Sequence, residues 1–394
     1  MKKNKITVGL FVDVFYPMTD GVVLVVDNYA KRLSKLCNVI VFCPRYLGKA
    51  FNDDIFSYQI VRCQSLKMPI IDYSLPIPRM DYNFQNKLKK YHLDIVHIHS
   101  PFTIGKAGIK YAKKNHIPIV GTMHSQYKQD FKRAVKNDIL ANTLTKGIIS
   151  VYNKCDECWA VNSEVSRIFQ YDYGYKKVPR VMNNATEMKP VTDYDKSIQL
   201  INKKYNLKDE IVFIFVGRIN ALKNVFFIVN ALKKVKEIKP ELNFKMFFIG
   251  SGQDENSLIK LIEKNKLEKE IIMCGKIDNR EELASFYARS DLFLFPSLYD
   301  ASSIVQIEAA SQKTPVLFLE GAATTATVTN NVNGFIAKND VLEYAKSIVN
   351  IVDNPKLLKE VSNNAFRDLY VNWDDIIKEI YERYLYLIKE KRKL

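Results

Sequence analysis

No stretch of this 394-residue sequence approaches the roughly 18 uninterrupted apolar residues that a membrane-spanning helix needs. Glycine (14) and proline (13) are too few for collagen or a flexible low-complexity chain. Histidine is scarcer still, at five. No Gly-x-Gly-x-x-Gly follows the first apolar run, so nothing supports a nicotinamide dinucleotide site. No His-Glu-x-x-His and no Cys/His cluster offers a metal its ligands. The single Cys-x-x-Cys, Cys155 to Cys158, has no second pair beside it. The other cysteines lie mostly in apolar runs, as buried free thiols do, which points to a reducing cytoplasm. No internal repeat is present. The basic N-terminus is followed by an apolar run that Asp13 interrupts, with no small-residue cleavage site, so it reads as a first strand and not as a signal peptide.

Acidic charge is also short. Asp and Glu number 43 against 59 Lys and Arg, a net charge of +16. Such an excess suits an anionic partner: nucleic acid, an acidic membrane or a phosphorylated substrate. A solvated lysine-rich surface explains it equally well. A hydrophobic share of 47% with 26% charged residues describes a folded globular protein. The length suits two domains of about 150 residues or more each.

Short runs rich in Val, Ile and Phe alternate with longer amphipathic stretches. The runs predict strands at Ile6–Asp13, Val39–Cys43, Asp94–His99, Pro118–Thr122 and Val178–Met182, then at Ile211–Val216, Phe244–Ile249, Ile271–Cys274, Asp291–Phe295 and Pro315–Phe318. Helical patterns lie between them. Strands apolar on both faces, alternating with helices, imply parallel sheets covered on both sides. The expected fold is therefore α/β, with two doubly wound, Rossmann-like domains facing across a cleft. The first is expected over residues 1–185 and the second over 198–372, joined by a polar linker at 186–197. A helix over 373–394 either packs across the domain junction or projects into solvent.

In open parallel sheets, ligands bind beyond the carboxyl ends of the strands, and the chemistry-bearing residues of this sequence cluster there. Gly21 opens a helix after the first strand, where free N–H groups can meet an anion or a sugar hydroxyl. A tight strand-to-helix turn explains it as well. His97, His99 and His124 follow two further strands; a hydrogen-bond donor or base toward a substrate hydroxyl suits them better than a metal, and structural histidines satisfied by backbone remain the alternative. In the second half, Arg218 and Lys223 follow a strand and open a helix. A guanidinium fork with a point charge suits a diphosphate whose charge grows as it departs. Gly250 and the pair Lys276–Ile277 end the next two strands. The densest cluster is Pro296–Ala310: Asp300 in a loop, Ser302 and Ser303 placed to cap a helix, and Glu308 inside it. A carboxylate in an apolar helix needs a polar partner. Asp193-Tyr194-Asp195 spells an Asp-x-Asp metal motif, but it lies in the linker and follows no strand, so it is taken as chance.

Together these segments resemble glycosyltransferase family 4, the retaining GT-B enzymes, over nearly the whole chain. FVDVFYPMTDGV, HIHSPF, TMHS, VGRINALKN and Asp300-x7-Glu308 each resemble a family motif, in the family's order. The resemblance implies that Arg218 and Lys223 bind the diphosphate of a nucleotide-sugar and that Glu308 binds its ribose. Asp300 and the backbone of Ser302, Ser303 and Ile304 would meet sugar and phosphate. Lys276 and Ile277 would lie near the base, with Gly21 and Gly250 allowing close approach. His124 would sit near the transferred sugar and the acceptor. It implies no cofactor and no essential metal. The sequence departs from the pattern in three places. The first signature acid is Asp300 instead of Glu, an Ala-Ser-Ser turn replaces a glycine-rich one, and Met182-Asn183-Asn184-Ala185 stands at the domain joint.

The segment Gln126–Lys154 mixes Lys128, Lys132, Arg133 and Lys136 with apolar residues, as does a helix lying on an anionic bilayer. A helix packed on its domain with a solvated basic face fits equally. The expected function is transfer of a hexose, with UDP-sugar favoured over GDP-sugar, to a lipid or lipid-linked saccharide. The expected place is the cytoplasmic face of the membrane, with no nucleic acid as partner. The alternatives are a sugar-nucleotide epimerase, an inactive scaffold of the same fold, and a basic nucleic-acid-binding protein, which lacks any recognisable nucleic-acid motif.

Overall fold

The computed structural model describes residues 5–48, 51–67 and 74–393. The chain divides into two compact units, Met1–Asn184 with Trp373–Leu394, and Ala185–Asn372.

In the first unit the strands are β1 (Thr7–Phe11), β2 (Asn38–Pro44), β3 (Gln59–Cys63), the short antiparallel pair β4 (Ser65–Lys67) and β5 (Ser74–Pro76), β6 (Ile95–Ile98), β7 (Ile119–Met123), β8 (Glu157–Ala160) and β9 (Arg180–Val181). Its main sheet is parallel, in the order β3-β2-β1-β6-β7-β8-β9. The helices are α1 (Gly21–Leu33), α2 (Tyr82–Lys90), α3 (Thr103–Lys114), α4 (Tyr127–Val135), α5 (Asp138–Tyr152) and α6 (Ser163–Arg167). β1 and β2 are buried along almost their whole length, which demands helices on both faces. α1 begins where Asp20 accepts the Val23 N–H at 2.9 Å, and it buries Val23, Val26, Tyr29, Ala30 and Leu33 on one face.

The second unit holds β10 (Ile211–Val216), β11 (Phe244–Ile249), β12 (Ile271–Gly275), β13 (Leu292–Phe295), β14 (Val316–Leu319) and β15 (Phe335–Ala337). Its helices are α7 (Tyr194–Tyr205), α8 (Val225–Ile238), α9 (Glu255–Lys264), α10 (Arg280–Arg289), α11 (Ile304–Ser311), α12 (Val341–Val352) and α13 (Pro355–Leu369). The sheet is parallel throughout, ordered β12-β11-β10-β13-β14-β15. This is the doubly wound order 3-2-1-4-5-6, and it reverses between β10 and β13. Phe213, Phe215, Phe247, Phe293, Phe295 and Phe318 pack against one another or their neighbours, mostly at steep or tilted angles, to form much of this core.

The last helix, α14 (Trp373–Lys391), belongs to the first unit. Trp373, Ile377, Ile380, Tyr384 and Ile388 recur at helical spacing and are all buried. Acids lead the helix and lysines end it, as the backbone dipole favours. Arg383 forks onto Glu157, Lys391 meets Asp156 at 2.8 Å and Arg32 meets Asp374 at 2.9 Å. The helix is thus laced onto the first unit and does not project into solvent. The stretch 186–197, expected as a linker, lies inside the second unit. Met188 joins its core, and Asp193 caps α7 by accepting the Lys196 N–H at 2.9 Å. That cap gives the Asp-x-Asp a structural task.

Candidate active site

The reversal point of a doubly wound sheet leaves a crevice between diverging loops. In the second unit, those loops follow β10 and β13. The β10 loop turns at Gly217, φ +157°, and Asn220 accepts the Lys223 N–H at 3.1 Å to close a short turn before α8. The two loops are stitched together. Asn224 Nδ2 donates to the Pro296 carbonyl at 3.1 Å, and the Lys223 ammonium meets the Asp300 carboxylate. The other oxygen of Asp300 accepts from Ser297 Oγ at 2.6 Å. Lys223 and Asp300 are thus one partly buried ion pair, their side chains 18% and 14% exposed. Sequence reasoning gave them separate roles and missed the contact.

Arg218 lies exposed on the same loop and makes no side-chain ion pair among the described residues. Gly250 has a reason within the fold. Its φ is +136°, and a Cβ there would lie 1.9 Å from the Gly217 carbonyl oxygen. The β10 and β11 loops can approach only over a glycine. Lys276 is exposed and pairs with Asp278 at 2.6 Å, while Ile277 packs against the core. Ser303 takes the N-cap position of α11 but its hydroxyl makes no cap hydrogen bond, against the expected capping; Ser302 is half-buried beside it. The free N–H groups at Ile304 therefore stay unclaimed by that side chain.

Glu308 is buried on α11, and its polar partners are Arg280, at 2.6 Å, and the Tyr287 hydroxyl, at 3.4 Å. Arg280 was not among the residues read as functional. Its signal was an arginine at the first position of α10, where the dipole disfavours a cation unless an acid waits nearby. Glu308 pushes the Tyr287 hydroxyl further toward its protonated form, after burial itself.

In the first unit, the reversal lies between β1 and β6, and the protein fills it with its own carboxylate. Asp13 accepts from Ser100 Oγ (2.8 Å), Thr103 Oγ1 (2.9 Å), Ile104 N (2.8 Å) and Gly105 N (3.3 Å), capping α3. Gly21 is exposed, and a Cβ there would meet nothing within 4 Å, so the fold itself does not require glycine at this place. His124 is half-buried after β7, and its Nε2 lies 3.0 Å from His99 Nδ1. Burial drives its pKa down to about 3, so the ring is neutral. His97 is fully buried between the Tyr384 hydroxyl (2.5 Å) and Thr122 Oγ1 (2.6 Å).

The basic segment 126–154 is two helices, because Lys136 adopts a left-handed conformation (φ +49°) and Asn137 caps α5. Lys132 meets Asp138 at 3.0 Å and Arg133 meets Asp130 at 2.6 Å, while Lys128 is half-buried. Beside these cations Ile139, Leu140 and Leu144 stand exposed, Ile139 at 80%. Among the described residues no helix is long and apolar enough to cross a membrane.

Comparisons with known proteins agree with this architecture. Residues 19–188 match the family model described as Glycosyltransferase Family 4, and residues 197–368 match that of Glycosyl transferases group 1. The chain is 28% identical over 409 residues to the alpha-monoglucosyldiacylglycerol synthase of Acholeplasma laidlawii, with 98% of each covered. The solved sucrose-phosphate synthase of Thermosynechococcus elongatus is similar at TM-score 0.78 and 18% identity, covering 98% of this chain and 100% of that one. Anabaena HepE in complex with UDP-glucose gives TM-score 0.74 at 15% identity, covering 95% of this chain and 98% of that one. The two structures share the GT-B fold with this chain. The motifs, the two parallel-sheet units and the matches along both halves converge: the chain belongs to glycosyltransferase family 4.

Proposed function

We propose that this glycosyltransferase moves a glucosyl residue from UDP-glucose to the hydroxyl of a diacylglycerol-type lipid, keeping the anomeric configuration. The observation that carries this reading is the end-to-end similarity to a synthase named for glucosyl transfer to diacylglycerol. The exposed Ile139, Leu140 and Leu144 beside Lys132, Arg133 and Lys136 support an acceptor drawn from an anionic membrane, at its cytoplasmic face.

On this reading the second unit holds the donor. Arg218 and Lys223 take the diphosphate, and the N-terminus of α11, from Ser302 to Ile304, adds backbone donors. Glu308 accepts from the ribose hydroxyls, held by Arg280. Asp300 meets the sugar, and Lys276 and Ile277 lie near the base. In the first unit, Gly21 leaves room for the donor phosphate and His124 meets the transferred sugar. Reaction breaks the bond between the sugar C1 and the β-phosphate oxygen. The lipid oxygen bonds to C1 on the same face, and its proton passes to the leaving phosphate. The two cations stabilise the charge that accumulates there, and the scheme needs no metal.

The test uses the full chain with vesicles of diacylglycerol and phosphatidylglycerol, and a panel of UDP- and GDP-sugars. Lipid-extractable glucose from UDP-glucose, with an α anomeric coupling, is expected. Transfer confined to a lipid-linked saccharide would remove the acceptor assignment, and a β product would remove retention.

A further inference from the structure

We propose that His99 is a positioning residue that holds His124 as its Nδ1–H tautomer, so that His124 offers an N–H donor, and not a lone pair, to the sugar. The inference rests on the reading of His124 as the residue that meets the sugar.

His99 stands one residue beyond β6 and is 1% exposed. Its Nδ1 and His124 Nε2 are 3.0 Å apart, so a single proton lies between them. Either ring can supply that proton. The far side of His99 decides which one does, because His99 Nε2 is buried and has no hydrogen-bond partner among the described residues. If His124 gave the proton, His99 would carry its own on Nε2, an N–H buried with nothing to receive it. If His99 gives the proton, Nε2 is left as an unoccupied acceptor. Orphaned buried donors are rarer in proteins than orphaned acceptors, so His99 donates.

Neighbouring rings offer no escape. His97 has both nitrogens engaged, by Tyr384 and Thr122, and meets His99 only ring to ring at 4.0 Å. Tyr29 closes another side at 5.2 Å. Burial lowers the proton affinity of His97, His99 and His124 alike, so none takes a second proton. With Nε2 of His124 accepting, its one proton sits on Nδ1, which no described residue bonds. An imidazole so fixed reads a sugar oxygen as an acceptor and cannot remove a proton from the lipid hydroxyl. The acceptor's proton must then leave by another route, as transfer to the departing diphosphate provides.

The test is two-bond 15N–1H correlation on the full chain labelled at histidine, with His124 assigned by its loss in His124→Gln. A protonated Nδ1 and a lone-pair Nε2 on His124 are expected. The opposite tautomer, an even mixture, or a doubly protonated ring would overturn the proposal. His99→Asn keeps a donor where Nδ1 stood and should preserve the signature and the turnover. His99→Leu should give mixed tautomers and a kcat lower by about tenfold, the worth of one neutral hydrogen bond, with the donor KM little changed. A single tautomer and full turnover in His99→Leu would also overturn it; if that variant does not fold, the wild-type spectrum decides. Full transfer by His124→Ala would remove the sugar contact and leave the tautomer assignment standing, so the two failures are distinct.

Discussion

Asp300→Asn should tighten UDP binding while slowing transfer. The Lys223 ammonium is engaged by Asp300, and both side chains are largely shielded from water. A diphosphate arriving at Lys223 must share that cation with a carboxylate. At about 4 Å and an effective dielectric near 20, the ion-pair attraction is about 4 kcal/mol. Most of it is offset, because the asparagine still bonds Lys223 and Ser297 and the freed ammonium regains water. A third of the attraction, about 1.4 kcal/mol, predicts UDP binding about tenfold tighter. Transfer should nevertheless fall by about tenfold or more, because the carboxylate that meets the sugar is gone. Calorimetric titration of UDP into the wild type, Asp300→Asn, Lys223→Ala and the double variant measures this directly. The gain from Asp300→Asn should vanish when Lys223 is absent. Unchanged or weaker UDP binding in Asp300→Asn would refute the reasoning, as would the same gain without Lys223.

Glu308→Gln should weaken UDP by about tenfold, the worth of a hydrogen bond to a charged acceptor, and should cease to distinguish UDP from 2′-deoxy-UDP; retained discrimination would place the ribose elsewhere. The neutral histidines make the first unit sensitive to acid. Folded, His97 and His99 titrate well below 6.5 and His124 near 3, so the unfolded chain holds more protons once the pH drops below about 6.5. Its melting temperature should therefore be level from pH 8 to 7 and fall from pH 6.5 to 5.5, and a level curve through that lower window would contradict the burial. Lys132→Ala with Lys136→Ala removes about 2 kcal/mol of attraction to an anionic bilayer, roughly thirtyfold in vesicle binding. UDP affinity should not move; equal flotation of wild type and variant with anionic vesicles would exclude this patch as the docking surface.

Much of the fold is legible in the apolar runs. β10 and β11 occupy the predicted Ile211–Val216 and Phe244–Ile249, because strands buried on both faces leave an unbroken apolar signal. The strands that escape are those whose polar residues are satisfied from afar. β8 carries Glu157, held by Arg383 from the far end of the chain, and β3 carries Arg62, which pairs with Asp53 and two carbonyls. β15, Phe335–Ala337, is too short to show a period. The same limit applies to the site. Arg218, Lys223, Asp300 and Glu308 stand out because they follow core strands or interrupt an apolar helix. Their partners Arg280 and Tyr287, and the His99–His124 contact, depend on pairings that only the folded chain brings together. The division of 126–154 into two helices turns on one left-handed lysine, Lys136, which carries no local composition signal.

The central claim is that the loops after β10 and β13, with Glu308 on α11, hold the donor nucleotide. A crystal structure of the full chain with UDP tests it most directly. The account predicts the diphosphate against Arg218 and Lys223 and the ribose hydroxyls on Glu308. A nucleotide bound elsewhere, with Lys223 still closed on Asp300, would contradict it.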